Sequence, residues 1–138
     1  MNTKSGFQFN DGGRAAAGFK GPARDCVVRA IAIATGKSYA TVYAEINALD
    51  CKTSNSRTGV AKKTTRKYLT SSGWQWTPTM AIGSGCTIHL TSAELPAGRL
   101  IVSVSRHLVA VVDGVIHDTY DSSRGGRRCV YGFYRRLD

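Results

Sequence analysis

Cys26, His107 and Asp118 are the residues whose types and order point to chemistry. A thiol, an imidazole and a carboxylate can together transfer acyl groups: the sulfur attacks, the ring moves a proton and the acid orients the ring. A thiol is a useful nucleophile only as thiolate, and its ordinary pKa of about 8.5 falls at a helix N-terminus or beside an imidazolium. Cys26 directly follows Asp25, a good N-cap residue, and opens the apolar run VVRAIAIAT. That placement puts its sulfur at the positive end of a helix dipole, where backbone N–H groups are free. The plainer reading also stands, because free cysteine is among the residue types most often buried for packing alone.

His107 and Asp118 belong to a segment that reads as a β-hairpin. Asp113-Gly114 between two apolar runs predicts a two-residue type I′ turn. Such a turn sets Val112 opposite Val115, Val111 opposite Ile116, Ala110 opposite His117 and Val109 opposite Asp118. Opposed residues share a face, as do residues two apart, so His107, Val109 and Asp118 project together. His107 and Asp118 are then diagonal neighbours, roughly 7–8 Å apart at the backbone, within reach of a hydrogen bond between side chains. His117 points to the other face, His89 lies in a different segment with no obvious carboxylate at pairing distance, and Asp113 is about 20 Å along the strand from His107. A slip of one residue would carry Asp118 to the opposite face. His107 as a polar strand-start residue, satisfied by a backbone carbonyl, is the alternative.

The elements that must position these groups follow from periodicity. Residues 1–24 form an irregular lead-in, rich in Gly and Ala, with Pro22 near its end. Val27, Ala30, Ile31 and Ala34 recur at helical spacing, widened by Val28 and Ile33, which predicts a central buried helix ended by Gly36. Ser38 caps a second helix with the stripe Tyr39, Val42, Tyr43, Ile46 and Leu49. VAKKTTRKYLTSS reads as a third, exposed helix stopped at Gly73. Strands follow: WQWTPT, confined to an edge by Pro78, then CTIHL, LIVSV, HLVAVV, VIHD and VYGFY. Between CTIHL and LIVSV, Thr91 with Glu94 carries a capping-box signature. Helices followed by an antiparallel sheet make an α+β class, and 138 residues without a linker make one domain spanning 1–138.

Bulk properties narrow the partners. The net charge of +10 favours anionic ones: nucleic acid or an acidic protein surface. Arg124, Arg127, Arg128, Arg135 and Arg136, interleaved with Tyr131, Phe133 and Tyr134, are candidate contacts to phosphates and bases. The same segment also reads as a last strand with its aromatics inside and its arginines solvated. No apolar run is long enough for a membrane span, and MNTKSGFQFN lacks an apolar signal region, so a cytoplasmic protein is expected. The four cysteines, Cys26, Cys51, Cys86 and Cys129, show no Cys-x-x-Cys spacing. No metal or cofactor is therefore expected, and the thiols are expected to be reduced.

With RDCVVRAIAIATG and RHLVAVVDGVIHDTYD, the chain resembles the papain-like cysteine peptidase superfamily, and most of all its compact bacterial and phage members, including the bacteriocin-processing peptidase-like group. The resemblance covers roughly residues 20–121. It implies N-terminal helices packed on a C-terminal antiparallel sheet, with the nucleophile opening the central helix. It also implies a Cys26–His107–Asp118 triad cleaving a peptide or isopeptide bond, or performing deamidation or acyl transfer, with a phage origin and a host-cytoplasm setting. Members often place a glutamine some six residues before the nucleophile as an oxyanion donor; Lys20 stands there, which leaves Gln8 and Asn10 as the upstream amides. So short a chain leaves little room for a deep cleft, which favours an exposed peptide or flexible tail as substrate. Three readings stand: a cysteine hydrolase; a papain-like scaffold without turnover that binds or inhibits a protein; and a basic nucleic-acid-binding protein.

Overall fold

The computed structural model describes residues 6–21, 23–49, 55–81 and 83–136. Pro22 and Cys51 lie outside the described residues. In chain order the elements are β1 (Phe7–Phe9), α1 (Cys26–Thr35), α2 (Tyr39–Leu49), α3 (Lys62–Thr70), β2 (Trp74–Pro78), β3 (Arg99–Val104), β4 (His107–Val112), β5 (Val115–Asp118) and β6 (Gly132–Arg136).

The helix α1 starts at the predicted residue and ends at Gly36, which takes the left-handed conformation (φ 79°) and donates its N–H to the Ala32 carbonyl. It is apolar nearly all round, and Val28 and Ile31 are fully buried, as befits a helix at the centre of the molecule. Asp25 precedes α1 but does not cap it with its side chain. Its carboxylate turns inward to Arg14, Arg29 and the Tyr39 hydroxyl. Ser38 does cap α2, its Oγ accepting the Thr41 N–H at 3.1 Å. α3 is less exposed than its lysines suggest, because Thr64, Thr65, Tyr68 and Leu69 are buried.

The strands form one six-stranded sheet in the order β1-β5-β4-β3-β6-β2. From β5 to β2 every pairing is antiparallel. β1 pairs parallel with β5 at the other edge, so the sheet is mixed rather than purely antiparallel, and the lead-in is not wholly irregular. The partner of FQF lies more than a hundred residues away, and no local pattern announces it. CTIHL forms no strand; His89 makes a single bridge with Cys129. The last strand begins at Gly132 rather than Val130, because the Val130 and Tyr131 amides bond to Ile88 and Ser103 carbonyls.

Both faces of the sheet are covered. Ile101, Leu108, Ala110 and Tyr134 pack under α1, α2 and α3. Val102, Val109, Val111 and Phe133 pack on the other side with Leu90, Leu95 and Val130. Double-sided burial explains why β3 and β4 read as continuous apolar runs. On this second side Cys86 and Cys129 are joined in a disulfide across 43 residues, which corrects the expectation of reduced thiols for that pair. Closing a loop of this length constrains the unfolded chain by about 4 kcal/mol in the chain-entropy model. Among the described residues no helix is long and apolar enough to cross a membrane.

Candidate active site

The β4–β5 hairpin has the predicted register: Val112 faces Val115, Val111 faces Ile116 and Ala110 faces His117. Asp113 (φ 49°) and Gly114 (φ 81°) both take the positive φ that a type I′ turn requires. His107 at the start of β4 and Asp118 at the end of β5 therefore meet, with His107 Nε2 2.6 Å from Asp118 Oδ2. Cys26, at the head of α1, lines the same cleft as His107 and Leu108, and both the ring and the Leu108 N–H act on its sulfur. With Nε2 committed to Asp118, Nδ1 is the ring nitrogen left for the sulfur.

Asp118 is 3 % exposed and fully engaged. Besides His107 it accepts the Thr119 N–H at 2.7 Å and the buried Ser122 hydroxyl at 3.2 Å, and it lies 3.4 Å from Arg29 Nη2. Arg29 also pairs with Asp25, so one guanidinium from α1 ties the helix start to the hairpin end. The sequence analysis missed Arg29 and Ser122. Arg29 left a signal: it is a charge on an otherwise apolar helix face, one turn after Asp25. Tyr120, half exposed, lies against the His107 ring with centroids 5.5 Å apart.

These contacts set the proton affinities. Burial pushes the Cys26 thiol up, but the hydrogen bond and charge of His107, the Leu108 N–H and the Arg29 charge more than offset it, so the thiol is held below its usual value. Burial alone would lower His107; the hydrogen bonds and charges of Asp118 and Cys26 prevail and raise it to about 9. Burial would raise Asp118, but His107, the Thr119 N–H and Arg29 hold it below the ordinary carboxylate range. All three directions favour a thiolate–imidazolium pair backed by a carboxylate.

Other predicted residues lie elsewhere. Gln8 is exposed on β1 opposite His117, and its amide nitrogen bonds to the Phe9 carbonyl. Asn10 contacts His117 Nδ1 at 3.2 Å and accepts the Gly12 N–H. Neither amide is among the residues lining the cleft that holds Cys26: Gln8 bonds within its own strand, and Asn10 ties the end of β1 to His117 and to the turn that follows. The five arginines do not form one surface. Arg128 is buried and donates to the Ser122 and Ser105 carbonyls. Arg124 and Arg127 are exposed beside it, while Arg135 and Arg136 lie at the far end of β6 near Trp74 and Arg99.

No family model, curated protein or solved structure matches this chain. Functional inference therefore rests on the site itself. Cys26 and His107 lie in a cleft of about 730 Å³, larger than the length of the chain suggests. Among the described residues its lining includes Arg24, Lys62, Lys63, Arg66 and Arg106, no Asp or Glu, and the aromatic rings of Trp76, Tyr131 and Tyr134. The Arg66 guanidinium lies 5.2 Å from the Trp76 ring centre and Lys62 Nζ 5.2 Å from that of Tyr131, so the aromatic surface helps hold the cations.

Proposed function

We propose that this protein is a papain-like cysteine hydrolase that cleaves a peptide or isopeptide bond in an acidic polypeptide. The observation that carries the reading is the continuous chain from the Cys26 sulfur through His107 to Asp118, with His107 2.6 Å from the carboxylate and the thiol held below its usual pKa. The cations lining the cleft, with no carboxylate among the described residues there, support the choice of substrate.

The chemistry runs in two halves. The Cys26 thiolate attacks the carbonyl carbon; a C–S bond forms and the C=O π pair moves to oxygen, where the N–H groups of the first turn of α1 stabilise it. The oxyanion collapses, the C–N bond breaks, and the His107 imidazolium gives its proton to the departing amine, leaving a thioester. Neutral His107 then takes a proton from water, whose oxygen attacks the thioester; the C–S bond breaks and the thiolate–imidazolium pair returns. Asp118 orients the ring and offsets its charge throughout. Deamidation and acyl transfer follow the same path with a side-chain amide as substrate or an amine as acceptor.

The test joins reactivity to turnover. At pH 7, iodoacetamide should alkylate Cys26 much faster than an unstructured peptide thiol, and Cys26→Ala should abolish cleavage of a library of acidic fluorogenic peptides. An alkylation rate no faster than the peptide's, or full turnover by folded Cys26→Ala, would refute the reading. A second reading draws on the aromatic rings set among the cations of the same cleft, a surface that also suits single-stranded nucleic acid. Salt-sensitive oligonucleotide binding, unchanged by Cys26→Ala and lost in Lys62→Ala/Arg66→Ala, would favour it.

A further inference from the structure

Three metal-ligating side chains outside the cleft converge where the segment after β2 lies against the approach to β6. His89 Nε2 is 3.5 Å from Cys86 Sγ, and the ligand atoms of Cys86, His89 and Cys129 all lie within 4.8 Å of one another. The backbone that carries them is held apart from the S–S bond. His89 and Cys129 pair as an antiparallel bridge; the Leu90 N–H donates to the Arg128 carbonyl and the Val130 N–H to the Ile88 carbonyl, each at 2.8 Å. Leu90 and Val130 are fully buried on either side. Opening the disulfide thus leaves the ligands side by side.

The orientation of His89 is the second observation. Its Nδ1 lies 3.1 Å from Glu94 Oε1, and the same carboxylate accepts the His89 backbone N–H, also at 3.1 Å. An ionised carboxylate only accepts, so Nδ1 carries the proton and Nε2 turns a lone pair toward the sulfurs. A disulfide sulfur has no proton to offer that lone pair. A carboxylate gripping Nδ1–H while Nε2 faces two sulfurs is the outer arrangement of metal-bound histidine. The Cys86–His89 separation of 3.5 Å matches: with Zn–S about 2.3 Å and Zn–N about 2.0–2.1 Å, the S-to-N edge of a tetrahedron is about 3.5 Å, and the sulfurs need only part once their bond is opened.

We propose that the dithiol form of this protein binds one zinc ion through Cys86, Cys129 and His89, with a fourth position open to water, and that the disulfide is its oxidised, metal-free state. The two states are linked by a dithiol reductant. It breaks the S–S bond with two electrons and two protons, yielding two thiols and its own disulfide; zinc then displaces both thiol protons. Zinc would pin the same two segments that the disulfide pins, so the fold keeps its clasp in either redox state.

The test uses the full chain carrying Cys26→Ala, which removes the cleft thiol as a rival ligand. After reduction with a phosphine and removal of metals, the protein should take one equivalent of zinc, raise its melting temperature by several degrees, and give a thiolate-to-cobalt charge-transfer band with cobalt(II). The same protein with its disulfide intact should do none of these. His89→Ala should lose stoichiometric binding, and Glu94→Gln should weaken it about tenfold. The proposal is overturned if the reduced protein takes up no zinc, if Cys86→Ser/Cys129→Ser binds an equal amount, or if His89→Ala binds as tightly as the parent.

Discussion

At the scale of single residues, the proton on His107 decides what the site can do. With His107 raised to about 9, the ring stays charged through neutral pH and can protonate a leaving amine. Turnover should therefore fall as pH rises through about 9, whereas alkylation of Cys26, which needs only the thiolate, should persist above it; parallel pH profiles of the two rates check this. Asp118→Asn removes the charge that raises the ring, so the alkaline limb of turnover should move to lower pH. The same change leaves Arg29 without one of its carboxylates and should cost about 3 kcal/mol in denaturant unfolding. The signs for stability follow. Because His107 is raised from 6.5, its contribution is fully present below that value and is lost as pH climbs through about 9. Because Asp118 is lowered from 3.8, its contribution is present above that value and is lost as pH falls through its folded value. His107 and Asp118 were legible as neighbours because a single two-residue turn fixes which strand positions meet, and Cys26 because it opens an apolar helix. Arg29 was harder to read, since its partners Asp25 and Asp118 come together only once helix and sheet pack. Gln8 and Asn10 were misread because their true neighbour, His117, sits on a strand from the other end of the chain.

At the scale of elements, the site depends on how β2 and β6 close against each other. Gly132 pairs with Pro78, and a Cβ built on it would come within 2.5 Å of the Trp76 ring and 2.7 Å of the Thr77 carbonyl oxygen. Trp76 is also a wall of the cleft. Gly132→Ala should push the indole toward the substrate and strain the strand pair, lowering stability by about 1–3 kcal/mol as overpacking does. Its KM should rise more than its kcat falls, since the reacting groups stand on α1, β4 and β5; steady-state kinetics with thermal unfolding distinguishes these effects. Elements with their own periodicity were the readable ones. The strands β4 and β5 and the start of α1 match their sequence patterns residue for residue. The elements that differ are set mainly by distant partners: β1 by β5, the start of β6 by the Ile88 and Ser103 carbonyls, and the Asp25 side chain by Arg14 and Tyr39 together with Arg29 one turn on.

At the scale of the whole molecule, charge and topology act together. The net charge of +10 is divided between the cleft cations and arginine groups elsewhere; under the proposed function its field would draw an acidic chain toward the molecule and the cleft would hold it. Raising salt from 50 to 500 mM, a range that shortens the screening length severalfold, should raise KM for an acidic peptide several-fold and leave kcat nearly unchanged; a neutral peptide of equal length serves as control. The α+β class was readable because the helices come first and the strands after. The disulfide was not, because two cysteines far apart in order meet only after the sheet is covered. The long reach of the site has one more consequence. The sulfur near the start of the chain has its thiol pKa lowered chiefly by a ring, itself held charged by a carboxylate, and both are made much later in synthesis. A polypeptide still emerging from the ribosome, with only its helices complete, lacks the imidazole and the carboxylate, so under the proposed function the thiol would gain its partners only when β4 and β5 arrive.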